Sequence, residues 1–167
     1  MTEKQIVVSG LAVSYEGIFS PRELYRIIDD FQKKHNYDKT EKESIEYVRP
    51  EGKYIELKME PYRKETDYVK FIIKMHVIME NLKETVVEVD GQKENMYEGK
   101  VTINFEGWIE TDYEQAWTTK ASIYFLRILV DKYIYKIYSE KFAAGVRAEV
   151  NELATQVKSF LNLYKFQ

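Results

Sequence analysis

The sequence has no cysteine, only three prolines and seven glycines, and only two histidines among its 167 residues. Without cysteine the chain has no disulfide scaffold, thiolate nucleophile, zinc ribbon or iron–sulfur site, and a reducing, cytoplasmic compartment is the expectation. His35 and His76 each lack a second histidine at ligand spacing, so no metal site is expected. No Gly-x-Ser-x-Gly elbow, P-loop or dinucleotide-binding glycine pattern occurs, so no catalytic residue is assigned and no cofactor is expected. Apolar runs fall short of the roughly 18 residues of a membrane span. The most apolar stretch, around Ile128 to Val130, is interrupted by Arg127 and Asp131. Met1 to Gln5 lack the apolar core of a signal peptide.

What remains is a globular composition: 44% hydrophobic, 32% charged and 14% aromatic. A chain of this length can bury roughly 70% of its unfolded surface, which suits one domain over 1–167. The net charge of -3 is unevenly spread. Residues 1–82 carry -1, residues 83–112 carry -5 and residues 113–167 carry +3. The acidic part holds Glu84, Glu88, Asp90, Glu94 and Glu98 around one hairpin, where water is expected to solvate them. The excess of +3 is too thin for the dense basic patch that phosphate binding requires.

Periodicity divides the chain. Ile6, Val8, Leu11, Val13 and Tyr15 alternate with polar residues as in a strand with one buried face, and Gly10 breaks the phase as a bulge would. Ser20-Pro21-Arg22-Glu23-Leu24 then marks a helix start. Ser20 caps, Pro21 takes the first position, Glu23 completes a capping box, and Phe19 with Leu24 forms a staple. Leu24, Ile27, Ile28 and Phe31 follow at helical spacing until His35-Asn36 ends the helix.

From Lys39 to Asp112 the period becomes two. Ile45 and Tyr47 belong to one strand, Arg49 to Gly52 to a turn, and Ile55, Leu57 and Met59 to the next strand, which Pro61 ends. A charged connection leads to a long alternating strand from Val69 to Met79. Asn81-Leu82-Lys83 reads as a reversal before a strand at Val87 and Val89, and Asp90-Gly91 as a turn. A last strand holds Val101, Ile103 and Phe105, with Gly99 and Gly107 interrupting it at points of curvature. About six antiparallel strands result. After a second capping box at Asp112 to Gln115 the chain reads as helix, with a break expected between Ser139 and Gly145. Val146, Val150, Leu153, Val157, Phe160, Leu161 and Tyr164 form a clean amphipathic stripe beyond it.

Strand, capped helix, meander and long C-terminal helix form an order that resembles the START and Bet v 1-like helix-grip superfamily. The resemblance rests on the strand at 5–16, the helix from Pro21, the meander to Asp112 and the stripe from Val146 to Tyr164. It implies an α+β fold: a curved antiparallel sheet with one early helix and a long helical segment, about 113–165, packed on it. The implied activity is noncatalytic enclosure of an apolar small molecule between sheet and helix, or a scaffold role that has lost its ligand. Phe71, Ile73, Met75, Phe105, Val150, Leu153 and Val157 would line that site, and Met-rich strands suit an adaptable pocket, although the same residues would equally make a core. One helix follows the first strand where many relatives have two, and the segment from Tyr113 to Gly145 is longer than the fold requires.

Two further readings stand beside this one. Tyr124, Arg127, Lys132 and Tyr135 share a helical stretch in the tyrosine- and arginine-rich style of an interface, fitting a homodimer or docking on a protein or ribonucleoprotein partner. A cyclase- or hydratase-like enzyme is the third, with His76 as a general base only if a carboxylate orients it. The local signal at Ser20 is directly testable. Ser20→Ala is expected to lower stability by about 1 kcal/mol in urea unfolding, since a first-turn N–H loses its acceptor; an unchanged midpoint would place the helix start elsewhere.

Overall fold

The computed structural model describes residues 2–111 and 135–163. Six strands and two helices are placed: β1 (Glu3–Phe19), α1 (Pro21–Lys34), β2 (Glu41–Arg49), β3 (Gly52–Met59), β4 (Tyr62–Lys64), β5 (Val69–Val89), β6 (Gln92–Thr111) and α2 (Tyr135–Leu163). All pairings are antiparallel, in the order β1-β6-β5-β3-β2, with β4 paired to β5 beside that path. The fold is thus α+β, with a curved, open six-stranded sheet. The second capping box at Asp112 and the helix expected over 113–134 lie outside the described residues.

Local chemistry explains the early elements. Ser20 has extended backbone and its Oγ accepts from the Glu23 N–H at 3.3 Å, while Pro21 occupies the first turn. Phe19 and Leu24 on either side are fully buried. At the other end the His35 N–H donates to the Phe31 carbonyl at 3.0 Å, and Asn36 takes the left-handed conformation that stops the helix. The register of β1 on β6 slips on both sides of Val8, which accommodates the bulge expected at Gly10.

Four expectations are corrected. The reversal at Asn81 to Lys83 is a bulge inside one long strand: Asn81 has φ 55°, the register on β6 slips between Glu80 and Lys83, and β5 runs on to Val89. Gly99 permits this, because a Cβ there would stand 2.7 Å from the Glu80 carbonyl oxygen. The charged connection after Pro61 contains β4, whose Arg63 pairs with Phe71 in register. Gly99 and Gly107 do not interrupt β6, which is continuous; they mark close approaches to it. Nor does α2 break between Ser139 and Gly145. One glycine costs only about 1 kcal/mol in a helix, and tertiary packing covers that.

The inner face of the sheet is the core. Val69, Phe71, Ile73, Met75, Val77 and Met79 of β5 and Val101, Ile103, Phe105 and Ile109 of β6 are all buried. Against them α2 sets Val146, Val150, Leu153, Val157 and Leu161 of the expected stripe, each at most 1% exposed, while Phe160 is half-buried and Tyr164 lies outside the described residues. Contact is close at Gly107, where a Cβ would lie 2.7 Å from Val146 Cγ1 and 3.1 Å from Val150 Cγ2. Gly107→Ala is therefore expected to cost roughly 1–3 kcal/mol in urea unfolding through overpacking. The penalty should shrink in a Val146→Ala background, where the methyl has room; an equal penalty in both backgrounds would show that α2 does not rest there.

Candidate functional site

The residues expected to line a pocket between sheet and helix are brought together. Phe71, Ile73, Met75, Phe105, Val150, Leu153 and Val157 belong to a single buried hydrophobic cluster, none more than 2% exposed. Their contacts near Gly107 are those of close packing, and Gly145 on α2 likewise stands over the Phe71 ring. Of the expected interface residues, Tyr124, Arg127 and Lys132 lie outside the described residues, and Tyr135 is the first described residue of α2. An exposed aromatic–guanidinium stack does occur elsewhere. On the β2–β3 hairpin the Tyr47 and Tyr54 rings lie 5.5 Å apart, with Arg49 4.8 Å from the Tyr54 ring centre.

Among the described residues a groove of about 470 Å³ lies between α1 and the start of β2 with the end of β3. Its lining residues from α1 are Arg22, Tyr25, Arg26, Ile28, Asp29 and Gln32; Lys39, Thr40, Glu41 and Met59 face them. The spacing of Arg22, Tyr25, Ile28, Asp29 and Gln32 puts them along one side of α1, by the three-or-four-residue rule of a helix. Ile28 and Met59 make the groove apolar within, and the Tyr25 ring adds to them. Burial, and then the Glu41 and Glu46 carboxylates, push the Tyr25 phenol up to about 12, so it remains a proton donor at neutral pH. Asp29 is the reverse case. Hydrogen bonds from Lys33 and Lys39 hold its carboxyl below the ordinary range, and it stays ionised. Sequence periodicity had assigned Ile28 to the core and passed over the rest of this set, because a groove wall in a surface helix looks like any polar helix face.

A polar clasp closes the far end of α1. Glu149 of α2 accepts from the Tyr37 hydroxyl at 2.6 Å and from Arg63 Nη2 at 3.0 Å. Arg63 also donates to the His35 carbonyl at 2.8 Å and lies between the Tyr37 and Phe71 rings. Glu152, one turn on, accepts from Lys34 at 2.7 Å and Gln156 at 3.0 Å. The His35 ring rests on Phe31, with Nδ1 3.8 Å from Glu149 and Nε2 3.2 Å from Glu152. That Nε2 is sealed from solvent and makes no hydrogen bond among the described residues. The clasp joins α1, β4 and α2.

His76 has the carboxylate that a general base would need. Its Nε2 lies 2.6 Å from Glu56 Oε1, while the Tyr54 hydroxyl donates to Glu56 Oε2 at 3.0 Å. The His76 interaction, more than that of Tyr54, holds the Glu56 carboxyl low. The set lies on the outer face of β3 and β5, away from the groove. The hairpin carboxylates Glu84, Glu88, Asp90, Glu94 and Glu98 are exposed, as expected. Among the described residues no cluster of three or more potential metal ligands occurs, and no helix is long and apolar enough to cross a membrane.

No family model and no curated protein matches this chain.

The clasp makes a pH prediction. Lys34, chiefly, and His35 lower the Glu152 carboxyl in the folded state. A depressed folded value means that its contribution is complete above the unfolded carboxylate value of about 4.3 and disappears as pH falls through the folded one. Stability should therefore fall on acidification below about pH 4.3, and Glu152→Gln should flatten this acid limb in urea titrations at several pH values. An acid limb of unchanged slope in the variant would remove Glu152 from the clasp.

Proposed function

We propose that the protein is a noncatalytic binding protein of helix-grip build that takes up a small, largely apolar molecule, and that the molecule sits in the groove beside α1. The observation that carries this reading is the groove itself: about 470 Å³, with Ile28, Met59 and the Tyr25 ring inside and charges on its rim. That size and that division of apolar wall and few polar groups are those of small-molecule sites, roughly 300–1,000 Å³. Burial of these walls by a ligand would supply the driving force, and the rim would set orientation.

The helix-grip part of the proposal draws support from topology. β1 lies at one edge, α1 follows it, β2 lies at the other edge, and the final helix crosses the inner face. The noncatalytic part rests on the lining chemistry. Asp29 is held ionised by two lysines, and neither the Tyr25 nor the Thr40 hydroxyl is hydrogen-bonded to a base among the described residues. An activated nucleophile needs such a partner.

The test compares the groove with the sheet–helix interior. A neutral fluorescent probe, N-phenyl-naphthylamine, is expected to bind the parent protein, and Met59→Trp should fill the groove and abolish binding with little change in urea stability. Val150→Trp should instead cost roughly 1–3 kcal/mol, as overpacking of a core does. Probe binding that survives Met59→Trp but is lost in a stable Val150→Trp would move the ligand between sheet and helix. No probe binding by the parent would remove the proposal.

A further inference from the structure

The charges on the groove do not cancel locally. Lys39 is paired with Asp29, which Lys33 also contacts, and Arg26 faces Glu23 and Asp30 on its own helix. Two ions of opposite sign are left over. Arg22, in the first turn of α1, and Glu41, at the start of β2, have no ionic or hydrogen-bonded side-chain partner among the described residues. They stand on facing walls, and Glu41 lies close enough to raise the Tyr25 phenol.

A second observation points into the same space. Gln32 is only 5% exposed, yet its side-chain amide has no hydrogen-bond partner among the described residues. The amide is not sealed off, and Gln32 lines the groove. A buried polar group of this kind is normally paired, and here the open side is the groove. From Arg22 to Gln32 the wall runs about 15 Å along α1, at about 1.5 Å per residue.

We infer that the ligand is a small zwitterion, with an anionic end toward Arg22, a cationic end toward Glu41 and an apolar stretch between them over Ile28 and Met59. This deepens the groove reading and rests on it. Arg22 and Glu41 are both exposed at the rim, so a ligand with one charge forgoes one of the two charge-assisted contacts. A neutral ligand forgoes both. A zwitterion matches both ions, and the amide of Gln32 can donate to or accept from whichever polar group reaches it. The N-terminal end of α1 adds to the preference for the anion on the Arg22 side.

Calorimetric titration with four ligands of one chain length tests this: ω-aminooctanoate, octanoate, octylamine and octanol. The zwitterion is expected to bind the parent tightest. Arg22→Gln should weaken ω-aminooctanoate and octanoate about tenfold and leave octylamine unchanged, as loss of one charge-assisted contact would. Glu41→Gln should do the converse, weakening ω-aminooctanoate and octylamine and leaving octanoate unchanged. Both positions are exposed, so the variants should fold as the parent does. Octanol binding as tightly as the zwitterion, with both variants indifferent, would overturn the zwitterion and leave the groove as a site for neutral ligands. Failure of all four to bind the parent would overturn both.

Discussion

At Gly107 a hydrogen stands where any other residue would place carbon, and the distance between α2 and the sheet follows from it. Val146 and Val150 occupy the space that a Cβ would take. With the helix seated so low, its apolar stripe meets the inner residues of β5 and β6 directly, and dispersion contacts replace the gap that a higher helix would leave. The polar residues beside that stripe are then near enough to reach other elements. Glu149 and Glu152 can bond to Tyr37, Arg63 and Lys34 only because α2 lies at this height.

The same seating explains where the groove is. α2 packs on β1, β6 and α1. The clasp and the cap fix α1 at its two ends, through Arg63 and the His35 carbonyl at one and Ser20 at the other. Between them α1 faces the beginning of β2 and the end of β3, and the space left there is the groove. Its walls therefore belong to elements held by interactions outside it, which is the arrangement that a preformed site needs.

Local signals were well expressed in the sequence. Ser20-Pro21, Asn36, Asp90-Gly91 and the stripe from Val146 to Leu161 each work through neighbours in the chain or one periodic face, and each is found as expected. Misread features depended on distant partners. Asn81 looks like a turn in isolation, but pairing of β5 with β6 carries the strand through it. Ser139 and Gly145 look like helix breakers, but α2 is continuous across them. Gly107 was visible as an oddity, while its meaning lay in Val146, far along the chain. The clasp and the groove joined residues from α1, β4 and α2 or from α1, β2 and β3, and no spacing rule connects such sets. His76 is the intermediate case: its face was legible, but Glu56 came from another strand.

The pairing of the first strand with the last has a consequence for how the chain assembles. Among the described residues β1 is hydrogen-bonded only to β6, with Glu3 opposite Thr111, so nearly the whole sheet is made before its first member has a neighbour. β5 and β6 are in the opposite position, joined by a two-residue turn and paired over their full length. Closing a short loop costs less chain entropy than closing a long one, so the central hairpin is the natural nucleus and β1 a late arrival at its edge. During synthesis the apolar face of β1 and the buried side of α1 emerge early and wait. They find cover only once β6 and α2 exist, and until then the nascent chain presents Val13, Phe19 and Ile28 to whatever else is near.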